Sequence, residues 1–351
     1  MLNKIYETIK QYIKEEYKFL IIILLLFVKM TYKLPYYIDA PGGIIDISKR
    51  IEIDEKNNLE GTMNFAYVSE MRATIPTYII AKINKNWDII KKEEVVLENE
   101  TESDARFRDN LSLKEALSNA LYVGFTESNE EFKTKNNKVY VTQILKGAKT
   151  DLKIGDQILE ADGIKINNIK ELQQIEKQEG KKITLKVINK NKEYTRTAEY
   201  IKYEDKIIIG IALGETFEID TNHKIDIDYK ARESGPSGGM MMALTTYSYL
   251  TGEDLTKGRT VVGTGTIDAY GNVGSIGGVK YKLIGAVKKK ADIFLVPNGE
   301  NYEEALKVKK EKKLWYKNSR NIKHKRSDKW IKKIIHFFID KNIKQVYNCI
   351  S

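Results

Sequence analysis

The segment 233–240 (ESGPSGGM) contains the residue with the clearest chemical potential. Ser237 stands between a proline and two glycines, and a stretch with helical spacing, 240–250, follows it. Small residues allow the backbone to turn sharply, which would place the hydroxyl at the N-terminus of a helix. Free N–H groups and the positive end of the helix dipole would stabilise an oxyanion there. The pattern predicts a serine nucleophile, although an ordinary loop serine is compatible with the same five letters GPSGG.

The sequence offers Ser237 no convincing histidine partner. The chain has three histidines, His223, His324 and His336, and His223 lies among charged residues that are typical of a surface. A Ser-His-Asp triad is therefore poorly supported. Three scattered histidines and a single cysteine, Cys349, also exclude a metal cluster and a disulfide scaffold, so we expect neither a metal nor a cofactor.

Three segments downstream of GPSGG complete a recognisable pattern. They are 264–267 (TGTI), 271–283 (GNVGSIGGVKYKL) and 291–297 (ADIFLVP). Together with GPSGG they resemble the proteolytic domain of Lon-type serine peptidases, which use a Ser-Lys dyad. The resemblance implies that Ser237 is the nucleophile and that Lys282, the second lysine of the Gly-Gly-hydrophobic-Lys-x-Lys run, is the base. It makes Lys280 a solvated neighbour and places Thr264 beside the catalytic lysine, which it helps to hold.

The implied chemistry requires an uncharged lysine. A free lysine has a pKa near ~10.4 and cannot accept a proton from serine at neutral pH. Burial disfavours the charged form, and Leu283, Ile284 and Ala286 would provide apolar surroundings for Lys282. The sequence departs from the family at Gly238, where members usually carry alanine, and this departure predicts slower catalysis without the loss of a reacting group.

The N-terminal region contains an unbroken apolar run of ten residues, 19–28 (FLIIILLLFV). It is shorter than the ~20 residues of a membrane-spanning helix, but it extends to Ile38 if Lys29 and Lys33 reach the interface. Lysines are more numerous before the run than just after it. The pattern predicts a single-pass cell-membrane protein with a cytoplasmic N-terminus and an extracytoplasmic catalytic domain. A buried helix or a cleaved signal peptide remains an alternative.

Residues 138–187 have the pattern of a small β-rich domain. A strand over 139–142 leads to a Gly-Ala turn, a hairpin over 155–163 (GDQILEADG), a helix and a strand over 183–187. This order resembles a PDZ domain of the bacterial protease-associated type, which binds an extended peptide as an added strand. The segment 122–125 (YVGF) is one candidate for the peptide-binding loop. An unrelated β-rich domain is the alternative.

The order of these parts is similar to that of membrane-anchored, PDZ-containing Lon-like proteases. We expect a multidomain α+β fold with five parts. They are a cytoplasmic stub and transmembrane anchor (1–38), a mixed α/β region (39–121), a PDZ-like domain (122–205), a Lon-type α/β proteolytic domain (206–313) and a divergent tail (314–351). No G-x-x-x-x-G-K-[ST] motif occurs, so the hypothesis is ATP-independent cleavage of flexible peptides.

The positive charge is concentrated at the end of the chain. The formal net charge is +10, but residues 307–351 hold 15 Lys+Arg against 3 Asp+Glu, so the remainder is close to neutral. We therefore expect peptide or protein substrates, no nucleic acid, and a homo-oligomer, because Lon-type domains tend to form rings. A membrane-tethered peptide-binding scaffold without activity is the alternative function. The tail departs from the family after Lys313, through a frame shift or rapid divergence.

Overall fold

The computed structural model describes residues 2–55 and 59–311, without the side chains of residues 2–4, 8 and 9. The chain divides into two compact units. Among the described residues, one unit contains 2–41 and 69–95, and the other contains 42–55, 59–68 and 96–311. The predicted divergent tail, 314–351, lies outside the described residues, and so does the amphipathic helix that the apolar residues between Trp330 and Phe338 predict.

The described residues include eight α-helices and seventeen strands. The helices are α1 (Leu2–Thr31), α2 (Ile75–Ile83), α3 (Lys92–Val95), α4 (Glu102–Glu127), α5 (Ile169–Gln173), α6 (Gly239–Thr251), α7 (Val279–Lys288) and α8 (Glu300–Glu311). The strands are β1 (Lys33–Asp46), β2 (Ile51–Ile53), β3 (Thr62–Thr74), β4 (Asp88–Lys91), β5 (Lys133–Ile144), β6 (Gln157–Ala161), β7 (Ile164–Lys165), β8 (Lys182–Asn189), β9 (Lys192–Glu199), β10 (Ile201–Tyr203), β11 (Lys206–Ile208), β12 (Ile211–Asp220), β13 (Ile225–Ile227), β14 (Thr260–Gly263), β15 (Thr266–Ile267), β16 (Val273–Gly274) and β17 (Ile293–Leu295).

The N-terminal helix corrects the prediction of a transmembrane anchor. Among residues 2–55 and 59–311, no helix combines the length and the apolar character that a membrane span requires. The last eighteen residues of α1, 14–31, include five charged side chains, and the helix ends at Thr31. The extension to Ile38 is not helical, because β1 begins at Lys33. The predicted transmembrane helix is therefore wrong, and so is the single-pass localisation derived from it.

The unit that contains α1 also has a small core of its own. The first half of β1 pairs antiparallel with β4, so that Tyr36 faces Lys91 and Asp39 faces Asp88. Helix α2 begins after Thr74, whose main-chain N–H donates to Thr77 Oγ1 over 2.8 Å. Apolar residues at helical spacing predict a helix over 76–87, but α2 ends at Ile83, because Asn84 takes an extended conformation.

The region with the PDZ-like pattern forms one antiparallel sheet in the strand order β12-β5-β6-β8-β9. Its core contains Val139, Ile158, Leu185 and Leu172, and Leu172 belongs to α5. The turn before β6 is fixed by the fully buried Asp156, whose carboxylate accepts hydrogen bonds from the main chain of Lys153 and the side chain of Asn189. The predicted helix and the predicted strand over 183–187 are both present.

Helix α4 is longer than the sequence suggested. The sequence predicts a helix over 111–121, opened by a capping box at Ser112, but α4 begins nine residues earlier, at Glu102. Thr101 and Asp104 form the capping box, and Ser112 lies inside the helix. The candidate peptide-binding loop 122–125 is also part of α4, and Phe125 is fully buried. The prediction of a peptide-binding loop over 122–125 is wrong, because these residues are helical and pack into the core.

A parallel sheet supports the segments with the Lon-type pattern. Strand β14 pairs in parallel with β3 on one side and with β17 on the other, so that Gly263 lies between Phe65 and Leu295. Helix α7 connects β14 to β17, which makes a β-α-β unit. Helix α6 begins at Gly239, one residue earlier than predicted, and Met240, Met241 and Met242 are fully buried in the core.

Candidate active site

Ser237 lies in the turn that leads into α6. The main-chain N–H of Gly239 donates to Pro236 O over 3.1 Å, and the N–H of Gly235 donates to Asp109 O of α4 over 2.8 Å. Ser237 is half-buried, whereas Gly238 and Gly239 are buried. The turn therefore has a fixed main chain and a serine that remains accessible at the start of the helix.

The end of β14 holds the main chain of Ser237. Thr264 Oγ1 donates to Ser237 O over 3.1 Å, and the N–H of Gly265 donates to the same oxygen over 2.8 Å. Thr264 is fully buried, and its own N–H donates to Leu295 O of β17 over 3.0 Å. The sequence singled out Thr264 as a neighbour of the lysine; its hydrogen bonds place it next to the serine.

Gly238, the departure from the family pattern, is the N-cap of α6. Its φ of −90° and ψ of −10° are accessible to any residue. A Cβ atom at this position would lie 2.9 Å from Met242 Cε and 3.2 Å from Phe65 Cγ. These two side chains therefore fill the space that an alanine methyl group would need.

Lys282 is buried in the first half of α7. The residue is 4% exposed, and Leu283, Ile284 and Ala286 beside it are buried too. Burial lowers the pKa of Lys282 to about 8, although the negative charge of Glu304 acts in the opposite direction. The expected burial and the expected direction of the pKa shift are confirmed, and the assignment of Lys282 as the base stays a prediction.

Helix α8 lies against the start of α7. Asn301 Nδ2 donates to Ile276 O and Asn301 Oδ1 accepts the N–H of Ile276, both over 2.8 Å. Glu304, one turn further along, accepts the main-chain N–H of Lys280 over 3.2 Å. Lys280, the predicted solvated neighbour, is half-buried. Helix α8 thus brings a carboxylate to the helix that carries Lys282.

The topology brings Ser237 and Lys282 to the same edge of the parallel sheet. The main chain of Ser237 is bonded to the two residues that follow β14. In a β-α-β unit the helix begins near the carboxyl end of the first strand, which places the start of α7 at that edge as well. Strand β3 contacts both sites: Phe65 lies against Gly238, and Val68 lies against Gly278 at the start of α7. These two positions on β3 are about 10 Å apart.

His223 is surrounded by carboxylates and is not placed as a partner for Ser237. His223 Nδ1 lies 2.6 Å from Asp54 Oδ2, and its Nε2 lies 3.3 Å from Glu130 Oε2. The hydrogen bond with Asp54 raises the pKa of His223, against the effect of burial. Both ring nitrogens are engaged by carboxylates, so His223 does not have the free nitrogen that a partner of Ser237 needs.

Two residues of α8 were not recognised in the sequence. Asn301 and Glu304 come after the ADIFLVP segment and belong to no motif. Their i, i+3 spacing on a helix with buried Ala305 and Val308 is the signal that would have indicated a polar contact.

Comparisons with known families agree with this architecture. Residues 216–324 match the family described as the Lon protease (S16) C-terminal proteolytic domain. Residues 116–188 match the PDZ domain family. No curated protein sequence matches the chain. The Lon-type match extends past Lys313, where we expected it to end.

The matched domains define the class of protein. A Lon-type proteolytic domain identifies a serine-type peptidase, and a PDZ domain identifies a peptide-binding module. Their combination in one chain of 351 residues matches that of a PDZ-containing Lon-like protease.

Proposed function

We propose that the chain is a serine endopeptidase in which Ser237 attacks the peptide carbonyl and Lys282 is the base. The observation that carries this proposal is the burial of Lys282, at 4% exposure, on the helix that follows β14. A lysine with a pKa near 8 is partly uncharged at neutral pH and is able to accept a proton. The hydrogen bonds of Thr264 and Gly265 to Ser237 support the serine at the same edge of the sheet.

The reaction would follow the sequence of a general base and a nucleophile. Uncharged Lys282 accepts the hydroxyl proton while Ser237 Oγ forms a bond to the carbonyl carbon. The ammonium group then gives that proton to the leaving amine, the carbon–nitrogen bond breaks, and an acyl ester remains on Ser237. Lys282 next accepts a proton from a water molecule, whose oxygen attacks the ester carbon. The bond between that carbon and Ser237 Oγ then breaks, the ammonium group returns the proton to Oγ, and the second product leaves as a carboxylic acid.

The oxyanion needs two main-chain donors near Ser237. The N–H of Gly239 already donates to Pro236 O, and the N–H of Met240 donates to Gly265 O over 3.0 Å. We therefore assign the oxyanion to the N–H groups of Ser237 and Gly238, which come first in the turn. Removal of one such donor typically reduces kcat by about a hundredfold or more.

The substrates proposed for this site are flexible peptides, tails or small domains, and cleavage is proposed to be independent of ATP. The sequence has no P-loop motif, which binds the ATP whose hydrolysis would drive the unfolding of substrates. The PDZ domain would recruit or gate the substrate. We also propose that the chain forms a homo-oligomer. Light scattering of the purified chain tests this by measuring its mass in solution.

The test is a cleavage assay of the full chain on fluorescein-labelled casein, a protein without a stable fold. We expect Ser237→Ala and Lys282→Met each to reduce cleavage by about a thousandfold or more. Ser234→Ala and Lys280→Met are the matched controls, because they remove the same groups from neighbouring positions. Cleavage by Ser237→Ala at the wild-type rate would contradict the proposal. An inactive wild-type chain that still binds peptide would favour the scaffold.

A further inference from the structure

The outer edge of the PDZ-like sheet is closed. Strand β12 pairs with β5 on one side, and α4 covers its other side. Ser118 Oγ donates to Phe217 O over 2.6 Å and accepts the N–H of Phe217 over 3.2 Å. A Cβ atom on Gly214 of β12 would lie 3.0 Å from Leu111 Cδ2 and 3.6 Å from Glu115 Oε2, both on α4. A peptide that added itself to β12 as a strand would have to displace these α4 side chains.

A cleft lies beside this closed edge. It has a volume of about 730 Å³ and is enclosed by α4, the strands β5 and β12, and residues 221–227. Apolar side chains form much of its lining: Leu117, Leu121, Phe217, Ile225 and Ile227. Ile227 is 47% exposed, so part of the apolar surface faces solvent. We call this feature the α4 cleft.

Lysines outnumber carboxylates on the lining of the α4 cleft. Lys114, Lys135 and Lys138 line it, together with one carboxylate, Glu218. Asp220 neutralises Lys135 over 2.7 Å. The structure gives Lys114 and Lys138 no ion pair among the residues that it describes. With Glu218 counted against Lys114 and Lys138, an excess of positive charge remains beside the apolar surface.

This chemistry selects the occupant. A peptide segment with apolar side chains next to carboxylates would bury the former in the cleft and pair the latter with Lys114 and Lys138. The basic end of this chain, residues 307–351, has the wrong charge for that position. A nucleic acid would meet the lysines, but its phosphates would gain nothing from the apolar lining.

Helix α4 connects the cleft to the loop of Ser237. Asp109 O of α4 accepts the N–H of Gly235, two residues before Ser237. A Cβ atom on Gly239 would lie 3.5 Å from Ala116 Cβ of α4. A segment bound in the cleft would thus lie on the helix that also supports the serine.

We propose that the α4 cleft binds an acidic, apolar segment of the substrate through side chains, without adding a strand to β12. This proposal rests on the proposed function only where it calls the bound segment substrate.

The test measures binding to the full chain that carries Ser237→Ala, so that no cleavage occurs. The probes are fluorescein-labelled decapeptides of alternating Leu and Glu, or of alternating Leu and Lys, in a fluorescence anisotropy titration. We expect the Leu-Glu peptide to bind and the Leu-Lys peptide not to bind. The double variant Lys114→Glu with Lys138→Glu should lower the affinity for the Leu-Glu peptide by about tenfold or more. The control Lys165→Glu with Lys192→Glu changes the charge equally on exposed lysines elsewhere and leaves the affinity unchanged.

Two further arms separate the alternatives. Ile227→Asp changes an exposed side chain, so it should retain the fold. It should lower the affinity for the Leu-Glu peptide. N-methylation of alternate peptide bonds in the probe leaves the affinity unchanged, because no strand ladder forms.

The proposal is overturned by equal affinity in the cleft and control variants, by loss of binding on N-methylation, or by full competition from single-stranded DNA. Because the peptide titration needs no catalysis, an inactive wild-type chain that binds the Leu-Glu peptide refutes the peptidase and retains the cleft.

Discussion

The hydroxyl of Thr264 donates a hydrogen bond to the main-chain carbonyl of Ser237 over 3.1 Å. The N–H of Gly265 donates to the same oxygen, so two consecutive residues at the end of β14 fix the peptide group of the serine. Because β14 is itself paired with β3 and β17, this part of the turn is held by a parallel sheet. The serine is positioned through its main chain, which leaves its side chain available for chemistry.

We expect the cleavage rate to increase with pH. Lys282 must be uncharged to accept a proton, and burial places its pKa at about 8. Below pH 8 the rate should fall about tenfold for each unit of pH, and above pH 8 it should approach a plateau. The measurement is kcat/KM for a fluorogenic peptide between pH 6 and about pH 9.5.

The variant Glu304→Gln provides the internal check on this profile. Glu304 raises the pKa of Lys282, so removal of its charge should move the midpoint to lower pH. Glutamine retains an oxygen that accepts the N–H of Lys280, so the contact between α8 and α7 is preserved. A midpoint that stays in place would show that the titrating group is not Lys282.

Replacement of the buried lysine should stabilise the protein. The pKa of Lys282 is lowered from 10.5 to about 8 in the folded state, so the unfolded chain binds more protons between these values. The free energy of unfolding of the wild type therefore increases with pH through this window. Lys282→Met should exceed the wild type by up to about 3 kcal/mol at pH 7, and the difference should shrink as the pH rises.

Urea unfolding at pH 7 and at about pH 10 measures this effect. Lys280→Met serves as the control, because Lys280 is only half-buried and should show no comparable pH dependence. A Lys282→Met variant that is less stable than the wild type at pH 7 would show that the ammonium group has a favourable partner.

The local motifs predicted much of the candidate site, because each of them depends on neighbours in the sequence. The turn before α6 and the buried Lys282 both follow from short runs of small and apolar residues. Asn301 could not be found in this way. Its two hydrogen bonds reach Ile276, twenty-five residues earlier, and only tertiary packing brings α8 to that loop.

The wrong predictions also have physical causes. The run 19–28 is strongly apolar, but a span needs more length, and the residues after Thr31 prefer a strand, in which Ile38 is buried. The segment 122–125 has the small and aromatic residues of a loop, yet Gly124 allows α4 to approach Thr246 of α6 closely. Hydrophobic pattern alone does not distinguish a peptide-binding loop from a tight contact between helices.

The two glycines at the starts of α6 and α7 should differ in their tolerance of alanine. Gly278 has a φ of +72°, and a Cβ atom there would lie 2.6 Å from Val68 Cγ2. Gly278→Ala should therefore reduce the free energy of unfolding by about 2 kcal/mol. Gly238→Ala has an ordinary φ, and the flexible end of Met242 is able to move, so its cost should stay below about 1 kcal/mol.

Thermal unfolding of the two variants, side by side, tests this difference. Gly238→Ala should also retain cleavage activity, since the methyl group removes no reacting group. Equal destabilisation by the two substitutions would mean that the packing of Phe65 and Met242 around Gly238 is as rigid as the backbone of Gly278.

The contact between Asn301 and Ile276 should depend on the amide of the side chain. Asn301 donates to the carbonyl of Ile276 and accepts its N–H, both over 2.8 Å, and the residue is 7% exposed. In Asn301→Asp an ionised oxygen would face the carbonyl oxygen of Ile276. We expect the free energy of unfolding to fall by about 2 to 3 kcal/mol at pH 7, because the carbonyl oxygen of Ile276 loses its donor and is repelled by a buried charge.

Burial raises the pKa of the new carboxyl group, and a protonated carboxyl group is able to donate to Ile276 again. The loss should therefore decrease as the pH falls towards 4, when urea unfolding of the variant and the wild type is compared at each pH. Asn110→Asp on the exposed face of α4 is the matched control, and a similar loss there would contradict the specific role of the Asn301 amide.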